Sequence, residues 1–273
     1  MNRNIINLLR WCRHVALLSL APLDYLSRLV NDKRDLPPLH LRRYVGPLRS
    51  FESSGAEFMS YLRLLAALQP DERVLDIGCG CGQMALYLRD YLDSSGSYVG
   101  VDIHGPSIRW CQRKLARGNF RFERIDVHNE AYNPAGLHRA EVYRFPFDDG
   151  SFDVILLKSV FTHMRPPEVS NYLGEVARLL KTGGRFLVTF FLLNADQATL
   201  ARNGQNALSF AYGEGVWRYR YEHSPESAIA YDEAYVTDLL KTFGLRLKDR
   251  THYGTWTGRK DGLSFQDMLL LEK

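Results

Sequence analysis

A chain of 273 residues, 45% hydrophobic and 24% charged, has ordinary globular composition and can bury one sizeable core with room for appendages. Those proportions exclude a disordered or fibrous chain. The four cysteines, Cys12, Cys79, Cys81 and Cys111, show no disulfide-framework spacing and suit a reducing compartment. The net charge of +4 is unevenly placed, since residues 1–50 hold nine Lys/Arg against three Asp/Glu and the remainder is net acidic.

That basic excess sits beside Ile5, Ile6, Leu8, Leu9, Trp11, Val15, Leu17, Leu18, Leu20, Leu23, Tyr25, Leu26, Leu29 and Val30. Between Arg13 and Asp24 the uncharged run is interrupted by Pro22 and falls short of the roughly 20 residues needed to span a bilayer. Arg3, Arg10 and Arg13 ahead of a short apolar run leave a signal peptide open. The segment can also pack as helices over the rest of the chain, or rest as a basic amphipathic stretch on an anionic membrane through residues 1–35. Packing is the expected arrangement, with residues 1–50 as a helical extension bent at Pro37-Pro38 and Gly46-Pro47.

From Phe51 a helix runs through Phe58, Tyr61, Leu62, Leu64, Leu65 and Leu68 to Pro70. The run Arg73-Val74-Leu75-Asp76-Ile77-Gly78-Cys79-Gly80-Cys81-Gly82 then carries a short β-branched strand into a loop with glycines at alternate positions. A helix from Gln83 to Tyr91 leaves that loop. Side-chain-free positions let the backbone lie against a ligand, with the free N–H groups of the helix start aimed at the same place. Asp102 ends the next strand, Tyr98 to Ile103, where a carboxylate can accept from a ribose diol. These features indicate a cofactor containing adenosine. A dinucleotide fingerprint wants its third glycine where Gln83 stands, and no Lys-Ser/Thr pair completes a P-loop. Asp76, two residues before the first glycine, repels a pyrophosphate and welcomes an ammonium group, which favours a cofactor bearing an amino acid.

Further along, Phe120 to Val127 alternates into the acid Asp126. In Phe145 to Ser159 the Asp149-Gly150 turn delivers the chain into an apolar central strand. Glu168 to Leu180 reads as a helix, Lys181-Thr182-Gly183-Gly184 as its C-cap and turn, and Arg185 to Phe191 as another buried strand. Over residues 55–273 the chain resembles the class I S-adenosylmethionine-dependent methyltransferases, a bacterial small-molecule branch. Thr182 stands where that family usually has Pro, a departure confined to a turn. The resemblance implies a Rossmann-like, mostly parallel α/β sheet of seven strands with helices on both faces and a final antiparallel hairpin. It implies S-adenosyl-L-methionine as cofactor, with contacts from Asp76, Gly78, Cys79, Gly80, Gly82, Asp102, Ile103, Asp126, Val127, Lys158 and Ser159. Asp126 would accept from the adenine amino group and the Val127 N–H would meet the ring. A cofactor made in the cytosol argues against export, so a cytoplasmic location is expected. The N-terminal extension should then cover the cofactor mouth.

Residues 195–230 do not look like sheet elements and form the expected acceptor-side insertion or lid of the 51–273 domain. Phe210, Tyr212, Trp217, Tyr219 and Tyr221, with alternation over 216–221, suit an exposed hairpin whose rings could wall an acceptor, or equally a satellite core or oligomer contact. No RNA-binding module is visible, and no nucleic acid is expected. Asp232 to Phe243 reads as a helix, Leu245 to Tyr253 as a strand, and Ser264 to Leu271 as the last strand. The segments Tyr253-Gly254-Thr255-Trp256 and Phe265-Gln266-Asp267 also resemble that bacterial branch.

The expected reaction is O-methylation of a small or lipid-linked metabolite, a sugar or phenolic hydroxyl, with N-methylation of an amine as the alternative. In-line placement and exclusion of water supply much of such a rate. A base helps when the acceptor is a hydroxyl, and His163 in Ser159 to Met164 is the candidate, with a structural histidine as the competing reading. His128, His223 and His252 are weaker candidates. Cys79-Gly80-Cys81 lacks two further ligands, so no metal is expected. A nicotinamide-dependent reductase and a non-catalytic, partner-activating subunit stay open as other classes. Nothing in the sequence bears on oligomeric state.

Overall fold

The computed structural model describes residues 12, 15–130 and 132–273. Two compact units share the chain, Met1–Asp71 with Cys79–Ile125 and Glu72–Gly78 with Asp126–Lys273.

The first unit holds α1 (Ala21–Val30), α2 (Leu39–Arg42), α3 (Phe51–Leu64), α4 (Gln83–Leu88), β2 (Ser97–Asp102), α5 (Gly105–Lys114) and β3 (Phe120–Arg124). Strands β2 and β3 pair in parallel, Tyr98 opposite Phe120 and Asp102 opposite Arg124. Tyr98 is fully buried and stacks on Phe120 with centroids 5.1 Å apart. Helix α3 stops short of its expected end at Pro70 because Ala67 turns to φ +49° and the Leu68 N–H reaches back to the Leu62 carbonyl. The start of α3 and the segment before it are tied to α4 and its C-cap by polar contacts: Gln83 Nε2 donates to the Phe51 carbonyl (2.5 Å) and Arg89 pairs with Asp35 (2.5 Å).

The second unit holds β1 (Arg73–Ile77), β4 (Phe152–Leu157), α6 (Pro166–Leu179), β5 (Leu180–Phe190), β6 (Leu192–Leu193), α7 (Ala195–Arg202), β7 (Trp217–Tyr219), β8 (Ile229–Asp232), α8 (Glu233–Thr242), β9 (Arg246–Leu247) and β10 (Asp267–Glu272). The seven-stranded sheet runs β3-β2-β1-β4-β5-β10-β9. Strands β1, β4 and β5 are parallel neighbours, whereas β10 runs antiparallel to both β5 and β9. The Rossmann-like α/β reading, with its reversed final strand, therefore holds. Val154, Ile155, Leu156 and Leu157 are all fully buried, as a central parallel strand requires.

Several boundaries differ from the expectations. Residues 181–184 are no free turn: β5 begins directly at Leu180, and the register against β4 shifts between Phe152 and Val154 where Gly183 takes φ +74°. The glycines absorb a bulge while both strands keep pairing. The strand expected over 245–253 pairs only at Arg246–Leu247 and rejoins at a His252–Met268 bridge. Strand β10 starts at Asp267 rather than Ser264 because the Ser264 and Phe265 carbonyls accept from the Thr255 and Trp256 N–H groups.

Residues 192–232 build a second, three-stranded sheet, β6-β8-β7, in which β8 is parallel to β6 and antiparallel to β7. Behind it Phe191, Ala230 and Trp256 form a satellite core with Leu193, Leu208 and Phe210 against it. Its anchor is Asp267, fully buried, which accepts from the Leu192 N–H (2.6 Å), the Gly254 N–H (2.7 Å) and Trp256 Nε1 (2.8 Å). Burial is the dominant influence on this carboxyl and pushes it up to about 6. A native carboxyl that holds its proton more tightly than the unfolded one loses stability as pH rises from about 4 to about 6. Urea unfolding midpoints for wild type and Asp267→Asn across that window check this, the expected result being that the variant lacks that component. Asp267→Ala strands three buried N–H groups and should cost about 2–4 kcal/mol.

Candidate active site

In the second unit the parallel pairing of β1 and β4 sets Asp76 opposite Leu156, so their C-terminal ends lie side by side. Gly78 and the Lys158–Val160 segment continue from those ends. Gly78 has φ +81°, and a Cβ there would stand 2.3 Å from Val160 Cγ2, so neither the backbone nor the space admits a side chain. Asp76 is buried, at 2% exposure.

Ser159 is held in a left-handed conformation, φ +59°. A closed ring of hydrogen bonds holds it there. Its N–H donates to Thr189 Oγ1 (2.8 Å), Thr189 donates to Gln266 Oε1 (2.7 Å), and Gln266 Nε2 donates back to Ser159 Oγ (2.9 Å). Strain in a non-glycine residue persists where its surroundings over-determine it, commonly at functional sites.

The 3-10 turn Phe161–His163 comes next. His163 Nδ1 lies 2.8 Å from the Glu226 carbonyl oxygen. A carbonyl only accepts, so Nδ1 carries the proton and Nε2 is the basic nitrogen. The Tyr132 ring meets the imidazole edge-on at 5.4 Å. Glu226 is itself buried, its carboxylate accepting from the Glu130 N–H (2.8 Å) with Arg165 Nε at 3.5 Å, and burial raises its pKa above the usual range. Glu168 beside it is pushed up to about 7, by burial first. Fully buried Tyr231 donates to the Met164 carbonyl and ties β8 to the end of this turn. Asp126 accepts from Asn133 Nδ2 (3.2 Å), which also donates to the Val127 carbonyl (3.0 Å).

In the first unit Gly80 (φ +56°) and Gly82 (φ +81°) complete the loop, and Gly82 caps α4. Asp102 receives the Gly80 N–H on Oδ2 (2.7 Å) and the His104 N–H on Oδ1 (2.7 Å). Burial raises this carboxyl above its usual range against the pull of those donors. Ile103, between Asp102 and His104, is half-buried. Cys79 and Cys81 are buried, and burial raises the Cys81 thiol pKa far above normal, with the Asp102 charge adding to it. Val45 lies against the loop: a Cβ on Gly80 would meet its Cγ2 at 2.6 Å, and Tyr44 rests on His104 with centroids 4.2 Å apart. Gly80→Ala should therefore lose about 1–3 kcal/mol of stability from backbone strain and overlap, readable as a lower thermal midpoint.

A model of a methyltransferase domain family matches residues 75–188, the stretch from the first strand through β5. Phthiotriol/phenolphthiotriol dimycocerosates methyltransferase 1 of Mycobacterium ulcerans is 36% identical over 118 residues, 43% of this chain and 37% of that protein. Residues 75–188 thus form a methyltransferase domain, in keeping with the resemblance to the class I S-adenosylmethionine-dependent methyltransferases. The 27-O-demethylrifamycin SV methyltransferase of Amycolatopsis mediterranei is 28% identical over 167 residues, 61% of this chain and 55% of that protein. Thus the matches span about a third to a half of the curated relatives. A solved S-adenosylmethionine-dependent methyltransferase from Methanosarcina mazei superposes with TM-score 0.52 at 23% identity, covering 77% of this chain and 96% of that one, and shares the fold.

The residues present fit the family's cofactor. A carboxylate offers about four acceptor positions, so Asp102 can serve a diol while keeping both of its backbone N–H donors. The loop glycines present bare backbone.

Of the aromatic residues expected on the acceptor side, Phe210 is redirected: it packs on Phe191 (5.3 Å) and Trp256 (5.4 Å) in the satellite core, because its segment folds behind the small sheet. Trp217 and Tyr219 are half-buried on β7, Tyr212 stacks on Tyr219 at 5.9 Å across an antiparallel bridge, and Tyr221 is exposed. Among the described residues no group of three or more His, Cys, Asp or Glu is placed to hold a metal. Sequence reasoning missed Thr189, Gln266, Glu226, Tyr231, Asn133 and Val45. All but Asn133 act through contacts distant in sequence; Thr189, Glu226 and Gln266 lay in segments already singled out, but nothing local marked those residues.

Proposed function

We propose that the chain transfers a methyl group from S-adenosylmethionine to a hydroxyl oxygen of a small or lipid-linked metabolite. When bound, the cofactor supplies an electrophilic methyl group. Asp102 holds the ribose hydroxyls, Asp126 the adenine amino group with the Val127 N–H toward the ring, and the loop from Gly78 to Gly82 takes the amino-acid end. His163 is the base that removes the acceptor proton as the new bond forms.

The observation that carries this reading is the 2.8 Å contact from His163 Nδ1 to the Glu226 carbonyl. It commits the ring to the tautomer whose Nε2 can accept a proton, just beyond a strand end where ligands bind in open α/β sheets. The strained Ser159 backbone, over-determined by Thr189 and Gln266, gives the same strand end a fixed shape. A relative named for a 27-O position supports an oxygen acceptor, and relatives named for phthiotriol dimycocerosates and for fatty-acid O-methylation support a lipid-linked one. The test supplies tritiated-methyl S-adenosylmethionine together with a hydroxylated fatty acid, a phenolic lipid and a primary amine. Label in a methyl ether of either oxygen acceptor supports the reading; label in the amine alone, or transfer strictly dependent on added Mg²⁺, overturns it.

A further inference from the structure

Helix α1 is amphipathic the wrong way round. Its buried residue is an acid: Asp24, 7% exposed, pairs with Arg28 (3.0 Å) and Arg42 (2.8 Å) and accepts from the Leu39 N–H (3.3 Å). Two of its three leucines point to solvent, Leu23 at 65% exposure and Leu26 at 56%, with Val30 at 85%, while Leu29 is half-buried. Residues 15–19 are also helical. At about 100° per residue, Val15, Leu18, Leu23, Leu26 and Val30 fall on one side and Leu17, Asp24 and Arg28 on the other. The expected packing of these apolar residues onto the domain is therefore corrected: Leu17 is buried, but Val15, Leu18, Leu20, Leu23, Tyr25, Leu26 and Val30 are exposed. The physical reason is the Asp24–Arg28–Arg42 cluster, which takes the inward face and fixes the helix with its apolar stripe outward. Ile5, Ile6, Leu8, Leu9 and Trp11 lie outside the described residues.

We propose that this face docks the protein peripherally on an anionic lipid bilayer. Charge selects that occupant. Outside the inward Asp24–Arg28–Arg42 cluster, residues 1–50 still carry seven Lys/Arg against two Asp, in a chain whose remainder is net acidic. An apolar stripe flanked by basic residues is the chemistry that partitions into an anionic interface. A second copy fits less well. Residues 15–30, helical on either side of a turn at Leu20, make a strip about 24 Å long and about 10 Å wide, so two copies bury only about 500 Å² against the roughly 1,200 Å² of a stable interface. Two such copies would also bring like charges together. No helix among the described residues is long and apolar enough to cross a membrane, so the contact is a surface one.

The inference stands apart from the choice of acceptor, because its readout is partitioning and not turnover. The full chain is sedimented with vesicles of phosphatidylglycerol and phosphatidylcholine, with phosphatidylcholine alone, and at low and high salt. Expected are co-sedimentation with the anionic vesicles, weakening at high salt, and a loss of at least about tenfold in Leu23→Glu/Leu26→Glu. Both substituted side chains are exposed, so the variant's thermal midpoint and S-adenosylhomocysteine binding should stay at wild-type values. The proposal is overturned if the wild type ignores anionic vesicles or if the variant binds them equally. It is overturned as well if light scattering shows a wild-type dimer that the substitutions dissolve, which would assign the face to a second copy.

Discussion

Replacing Asp102 by alanine should lower affinity for S-adenosylmethionine and S-adenosylhomocysteine by roughly 10–100-fold, the equivalent of about 1–3 kcal/mol for acceptors removed from a buried polar partner. The loss has two parts. The cofactor's diol loses its carboxylate, and the Gly80 and His104 N–H groups, each 2.7 Å from that carboxylate, lose their acceptor. Asp102→Asn separates them, because one amide oxygen can retain a single backbone donor while the negative charge is gone. Isothermal titration with S-adenosylhomocysteine, alongside a thermal melt, reads both parts. The affinity should fall further in alanine than in asparagine. An alanine variant that binds like wild type refutes the assignment of Asp102, and a wild type without measurable binding refutes the cofactor assignment for this chain.

The second large effect concerns His163. His163→Ala should lower kcat by about 10²–10⁴, the usual contribution of a positioned base, with cofactor affinity unchanged. Alanine alone would not distinguish a base from a prop, since the ring also anchors the Glu226 carbonyl at 2.8 Å. His163→Asn keeps an N–H donor for that carbonyl and supplies no base. If His163 takes the proton, asparagine is as slow as alanine, and the acid limb of kcat/KM between about pH 5 and 8, where imidazoles titrate, disappears in both. If the ring only supports the loop, asparagine restores activity and the pH profile keeps its shape. Glu168, pushed up to about 7 by burial, can add a limb in the same window, so Glu168→Gln in the wild-type background assigns what remains.

Much of this molecule is legible locally. The alternate glycines of 78–82 take positive φ, as their spacing between a strand and a helix implies. Asp102 ends β2, and the run before Ser159 is the fully buried strand its composition suggests. These readings rest on interactions a few residues long: backbone freedom at glycine, the period of a strand, an acid at a strand end. The antiparallel last strand was legible in outline, but its start was not. Ser264 and Phe265 give their carbonyls to Thr255 and Trp256, a pairing that no local pattern announces.

The inverted helix shows the limit most clearly. A helical apolar stripe in a sequence normally marks the face that packs, and nothing between Ala21 and Val30 contradicts that. Only the arrival of Arg42, eighteen residues beyond Asp24, makes the acid the inward residue. The same holds on the reacting side. Sequence alone brought forward His163, the loop glycines and Asp102, because residue chemistry and strand-end position select them. Tertiary structure decided which imidazole nitrogen carries the proton, what holds Ser159 in its strained backbone, and which way α1 faces. Those outcomes depend on Glu226, Thr189, Gln266 and Arg42, partners brought close by strand order and loop closure, and such contacts leave no periodic trace in the chain that forms them.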